Sequence, residues 1–380
     1  MERLNVAIVG CGWVAGTQMK EGFRVLPELF DVVACCDNIA ERASAFAGSH
    51  GIARAATELA EILAMPDIDV VSICTPPMLH HPMALAVLGA GKHAICEKPL
   101  TSSIALVADI REAEASSSGR IMPIFQYRFG QGIWKVRHLI QSGLLGRAYV
   151  SSAETAWRRG PEYYQVPWRG KFATELGGVL LTQSIHIHDL LLWLMGPAAA
   201  VSAFKTTRVN RIEVEDCAVA SLQLRDGSLA SLTATLGSIR PTTRLRLCFE
   251  NAVIERLAYD ASAIKPGDEP WTVTPRDDAI GREISDVTLS TPRIKAGFAG
   301  QFEMFHRALM DGAPFPVTLD DARCSLELIT AMFRAQETGC VINLPISPDT
   351  PGYSGWTPSS VRSKGSGESR VGADETGRGV

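Results

Sequence analysis

The sequence predicts an α/β fold: an N-terminal doubly wound parallel sheet, followed by an α/β domain with a large, open, mainly antiparallel sheet. Three observations predict it. Short apolar runs alternate with segments of helical spacing through the first 122 residues. A glycine turn joins the first run to the first helical segment. Beyond residue 122 the texture changes to successive alternating segments, two of them joined by a tight turn. At 380 residues the chain also exceeds the size at which one core keeps growing, so two domains are expected.

The β-type runs of the first part fall at 6–9, 32–36, 70–74, 93–96 and 121–125. Each is nearly continuously apolar, as in strands covered on both faces. Helical spacing occupies 14–24, 40–47, 58–64, 79–89 and 102–115, with Thr101, Ser102 and Ser103 as N-cap candidates for the last. Strands alternating with helices of this length imply parallel pairing through right-handed crossovers. In the second part a helix is expected over 132–141, ended by Ser142-Gly143. Alternating segments follow at 148–155, 200–209, 217–224, 229–236 and 244–250, with 225–228 reading as a hairpin turn. Helices at 178–195 and 320–338 are the expected cover for one sheet face, and another subunit for the other. The organisation predicted is thus 1–122, 123–346, and a polar Gly/Ser/Pro-rich extension 347–380, disordered from about 359.

Composition narrows the function classes. A formal net charge of −4 argues against nucleic-acid binding. No apolar run is long enough for a bilayer, and the N-terminus does not read as a signal peptide. Nine scattered cysteines, without CxxC or zinc spacing, predict reduced thiols in a cytoplasmic protein and no metal site.

Gly10-Cys11-Gly12-Trp13-Val14-Ala15 is a G-x-G-x-x-A turn between strand and helix. Gly10 permits the sharp turn, Gly12 lets a pyrophosphate approach, and Ala15 keeps the helix close to the sheet. The helix N-terminus offers free N–H groups to phosphate. Asp37, followed by Asn38, sits just past the second strand, where a carboxylate accepts both ribose hydroxyls and repels a 2′-phosphate. NAD is therefore favoured over NADP, although Arg42, one helical turn along, is in range of a 2′-phosphate. Two further strand ends carry Thr75-Pro76-Pro77, with His80 beyond, and Glu97-Lys98-Pro99. Carboxyl ends of strands line the ligand crevice of such a sheet, so Lys98 faces the same mouth as the glycine turn.

These stretches, with Gly91-Lys92-His93 leading into Glu97-Lys98-Pro99-Leu100, Gln126-Tyr127-Arg128-Phe129, Gly143-Leu144-Leu145-Gly146 and residues 177–189, resemble the glucose–fructose oxidoreductase / inositol dehydrogenase / MocA (Gfo/Idh/MocA) family. The resemblance covers residues 4–345. It implies a Rossmann domain, Gln126 at the cofactor, a sheet that supports dimers or tetramers, and NAD(P)-dependent oxidation of a secondary hydroxyl on a sugar, polyol or sugar derivative. The family's lysine maps to Lys98. Its Asp-x-x-x-His maps to Thr182 and His186, so threonine stands where an acid is common. One helix over 178–195 would put both on one face, with Thr182 limited to a neutral hydrogen bond. His186 would then be oriented by Lys98, water or substrate. Asp189 reads as structural.

The expected chemistry follows from these groups. Lys98 as ammonium stabilises alkoxide character, and His186 accepts the proton; the alternative for His186 is a satisfied core histidine. Candidate substrate contacts are Tyr164, Trp168 and Arg169, joined by Thr182. Aromatic faces stack on sugars and arginines grip carboxylates, though the same residues also suit a solvated loop over packed tyrosines. Two other functions fit the resemblance: an NAD-assisted glycoside hydrolase and a non-catalytic NAD(P)-sensing regulator.

Overall fold

The computed structural model describes residues 2–259 and 266–356; the predicted disordered tail lies outside them. The first sheet comprises β1 (Leu4–Val9), β2 (Phe30–Cys36), β3 (Arg54–Ala56), β4 (Val70–Ile73), β5 (His93–Cys96) and β6 (Ile121–Pro123). All pairs are parallel, in the order β3-β2-β1-β4-β5-β6. Its helices are α1 (Trp13–Glu21), α2 (Ala40–His50), α3 (Leu59–Leu63), α4 (His80–Gly89) and α5 (Ile104–Ala115). The expected doubly wound sheet is present. Of the three N-cap candidates before α5, Ser103 caps it, accepting from the Leu106 N–H at 3.3 Å. Strand order reverses between β1 and β4, which opens a crevice at their carboxyl ends.

The second part begins with α6 (Gln131–Gln141), β7 (Ala148–Arg158), α7 (Val179–Thr182) and α8 (Ile185–Met195). Strands β8 (Ala198–Thr206), β9 (Cys217–Leu224), β10 (Leu229–Thr235), β11 (Gly237–Phe249), β12 (Ala252–Ala258) and β13 (Thr272–Pro275) follow. Helices α9 (Asp278–Leu289), α10 (Gly297–Met310) and α11 (Leu319–Thr338) precede the short β14 (Ile342–Asn343). The sheet order is β13-β12-β11-β7-β10-β9-β8-β14, antiparallel except where β10 runs parallel to β7. Helices α8 and α11 cover one face.

The other face alternates small polar residues with exposed apolar ones. Ser202, Ser221, Ser231 and Ser152 lie opposite one another across four strands, flanked by Phe204 and Val219 on one side and Leu229 and Val150 on the other. The segment after Ser347, which sequence pattern left without structure, is partly anchored: Trp356 is buried, donates to the Leu176 carbonyl at 2.9 Å and packs on Phe333. Helix α10 returns to the first sheet, stacking Phe302 on Phe23 at 4.5 Å.

The predicted helix over 178–195 is broken. Gln183 and Ser184 both turn back to the Val179 carbonyl, ending α7 before α8 starts. Thr182 and His186 therefore do not share a helical face. The hydroxyl of Thr182 turns to the Gly178 carbonyl at 2.8 Å and to Gln183.

Candidate active site

A cavity of about 1510 Å³ opens at the carboxyl ends of the first sheet and extends beneath the second part of the chain. Gly10, Gly12, Trp13, Val14, Asp37, Asn38 and Arg42 line one end; Lys98, Trp168, Arg169, Thr182 and His186 line the other. Between them lie Thr75, Pro76, Pro77, His80, Glu97 and Gln126. Two predicted residues stand apart. Ala15 is fully buried on the inner side of α1, where its small side chain allows close packing. Tyr164 packs edge-on beneath Tyr163, and it is Tyr163 that faces the cavity.

The glycine turn has the shape a dinucleotide requires. Gly10 has φ +91°, and a Cβ there would sit 2.8 Å from the Cys74–Thr75 backbone. Gly12 has open space where a Cβ would stand, directly at the N-terminus of α1. Asp37 is buried, not a solvated turn residue: it accepts from Cys11 N–H at 3.0 Å and Ile39 N–H at 3.1 Å, and pairs with Arg42 at 3.4 Å. Each oxygen accepts twice, the two longest contacts coming from Arg42 at 3.4 and 3.5 Å, so the residues present fit NAD if ribose hydroxyls take the place of Arg42 at Asp37, with pyrophosphate at Gly12. The Asp37 carboxylate that Arg42 pairs with also stands as like charge against a 2′-phosphate.

Lys98 stands at the end of β5 on a turn fixed from behind. Ser72 donates to the Gln18 amide oxygen at 2.6 Å, and Gln18 donates to the buried Glu97 at 2.8 Å. Glu97 thus anchors the turn to α1. His80 braces the same turn, its ring nitrogens 2.7 Å from the Pro99 carbonyl and 2.8 Å from the Thr75 carbonyl. The Lys98 ammonium donates to the Thr182 carbonyl at 2.6 Å, a group left available by the break between α7 and α8. Burial pushes the Lys98 pKa down to about 8, with Glu97 opposing the shift and Arg169 and Arg159 adding to it.

His186, in the first turn of α8, stacks on Tyr127 with ring centroids 4.4 Å apart. Its Nδ1 is buried without a partner among the described residues. Burial, and secondarily Lys98, holds its pKa well below the usual histidine value, so the imidazole is neutral at pH 7. Sequence reading missed Tyr127 as the stacking partner. It favoured Tyr164 over Tyr163 and missed Gln183 and Glu175, whose hydrogen bonds surround Arg169: Gln183 donates to the Tyr163 hydroxyl at 3.0 Å, and Arg169 pairs with Glu175 at 3.3 Å and with Tyr163. Residue pattern carries little signal for them, since a helix break and a short turn have no period to read.

Two family models meet this chain in tandem. Residues 4–125 match the oxidoreductase-family NAD-binding Rossmann fold, and residues 133–255 match the GFO/IDH/MocA C-terminal domain. The chain belongs to the Gfo/Idh/MocA oxidoreductase family. Among curated relatives, it is 32% identical to the D-glucoside 3-dehydrogenase of Escherichia coli over 52% of this chain and 56% of that protein. It is 29% identical to the 1,5-anhydro-D-fructose reductase of Ensifer adhaerens over 60% and 66%. The chain therefore spans 56% to 66% of the length of these relatives. Among solved structures, the WlbA dehydrogenase of Bordetella pertussis in complex with NADH and UDP-GlcNAcA superposes with a TM-score of 0.80 at 25% identity, over 91% of this chain and 100% of that one. The first part of this Gfo/Idh/MocA chain is accordingly the family's NAD-binding domain. Among the described residues no cluster of His, Cys, Asp and Glu could hold a metal, and no helix is long and apolar enough to cross a membrane.

Proposed function

We propose that this chain is an NAD-dependent dehydrogenase that oxidises a secondary hydroxyl of a sugar, polyol or sugar derivative. The observation that carries the reading is the convergence of Lys98 and His186, from two parts of the chain, on the cavity that also holds the glycine turn and Asp37. Bound NAD supplies the hydride acceptor. One N–H of the Lys98 ammonium goes to Thr182, leaving two for the reacting hydroxyl and its developing negative charge. His186, kept neutral by burial, accepts the proton, at some loss of basicity. Trp168 and Tyr163 supply aromatic surface for a sugar ring.

The test is a turnover screen of sugars, polyols and sugar acids with NAD and NADP in parallel, followed by absorbance of the reduced cofactor. Reduction of NAD, and slower reduction of NADP, is expected. Cleavage of a chromogenic glycoside with no net NAD reduction would replace the dehydrogenase with a hydrolase.

Protonation of Lys98 sets the expected pH dependence. With a pKa of about 8, the ammonium is present at neutrality and lost as pH rises through that value. Oxidation kcat/KM is therefore expected to fall by about tenfold per pH unit above about pH 8, since a neutral amine makes a weaker hydrogen bond. A rate that keeps rising beyond this range would remove the ammonium from the mechanism. The open sheet face, with Phe204 69% exposed, supports self-association into dimers or tetramers, and nine free thiols suit a reducing cytoplasm.

A further inference from the structure

Arg159 follows directly on β7 and lines the substrate end of the cavity. Its guanidinium lies over Trp157 at 5.6 Å and Tyr163 at 5.1 Å from the ring centroids. Nη1 donates to the neighbouring Arg158 carbonyl at 2.8 Å, while Nε is buried with no partner. Among the described residues no carboxylate lies within ion-pair distance of it. Glu162, close in sequence, is turned over the Gly160 backbone. Of the other cations at this end, Arg169 pairs with Glu175 and Lys98 gives one of its N–H groups to the Thr182 carbonyl. Arg159 also belongs to the reacting end, since its charge bears on Lys98, Tyr127 and Tyr163.

A half-buried guanidinium with a buried, unmatched Nε–H loses hydration there that its contacts with the Arg158 carbonyl and Tyr163 do not restore. Its planar fork matches a carboxylate or phosphate in bidentate fashion. A site for neutral sugars needs only the aromatic faces and Lys98; the cation would be superfluous. We propose that the substrate of this site carries an anionic group, a carboxylate or a phosphate, and that Arg159 pairs with it. This rests on the dehydrogenase reading.

The test compares hexuronates, aldonates and hexose phosphates with their neutral parent sugars, as substrates with NAD and as ligands titrated calorimetrically into the NADH-loaded protein. Wild type is expected to prefer an anionic member over its parent by about 10- to 100-fold. The arm that shows the preference distinguishes carboxylate from phosphate. Arg159→Met is expected to erase the preference, mainly through KM, with Arg159→Lys restoring part of it; Arg159→Gln, with its melting temperature checked, serves if the methionine variant does not fold. Preference for neutral parents, preference surviving all three substitutions, or failure of every anionic sugar to bind would overturn the proposal. If no sugar reduces NAD, the dehydrogenase reading falls, and the calorimetric titration still decides the pairing at Arg159.

Discussion

Lys98→Ala is expected to lower kcat by about 10²- to 10³-fold while leaving NAD affinity nearly intact, the magnitude typical of removing one preorganised donor from a developing oxyanion. The geometry separates the two effects. The ammonium reaches Thr182 at the substrate end, whereas the nucleotide features, Gly12 and Asp37, sit on the turns after β1 and β2. The Ser72–Gln18–Glu97 chain fixes the backbone of the turn without using the lysine amine. Single-turnover kinetics with a sugar that the wild type oxidises, alongside titration of NAD by fluorescence quenching, would measure both. Undiminished turnover would exclude Lys98 from the chemistry; lost NAD binding would make it a cofactor residue instead.

Asp189→Ala is expected to destabilise the fold by about 3–5 kcal/mol, the usual cost of leaving a buried charge without its partner. Asp189 chelates Arg128, accepting from Nε at 2.7 Å and Nη2 at 2.5 Å, and both residues are almost fully buried. Asp321 on α11 takes the third nitrogen at 2.9 Å. The cluster therefore joins the turn after β6 to α8 and to the start of α11, and it sits on the helix that carries His186. Urea unfolding would show the loss in midpoint, and turnover of the variant is expected to fall as α8 loses its tether. A change below about 1 kcal/mol would mean that Asp321 alone satisfies Arg128. Asp189 is thus structural in the sense its sequence position suggested, with a partner that sequence did not name.

Much of the first sheet was legible because both of its signals are local. Parallel strands buried on two faces read as apolar runs, and the glycine turn places its residues by adjacency alone. Only β3, three residues long, escaped notice. The second sheet was legible where strands were long and alternating, as in β9 and β10. Beyond residue 250 β12, β13, α9 and α10 were not read: β12 and β13 extend the sheet by pairing in turn from β11, while α9 also packs on α6 and α10 on α1, contacts that no local pattern marks. The break between α7 and α8 defeated the helical pattern because Leu180, Leu181 and Ile185 are apolar on either side of it and all buried.

Sequence alone singled out the glycine turn, Asp37, Lys98 and His186 as candidate positions, since each is marked by residue type and by place at a strand or helix end. Tertiary structure alone decided which groups meet. Lys98 binds the Thr182 backbone rather than its side chain, Tyr127 stacks on His186, and Arg159 is left without a carboxylate among the described residues. The physical reason is that local pattern encodes which face of an element is buried. The pairing of polar groups across 84 residues, as between Lys98 and Thr182, depends on how packed elements bring backbone carbonyls and charges within about 3 Å.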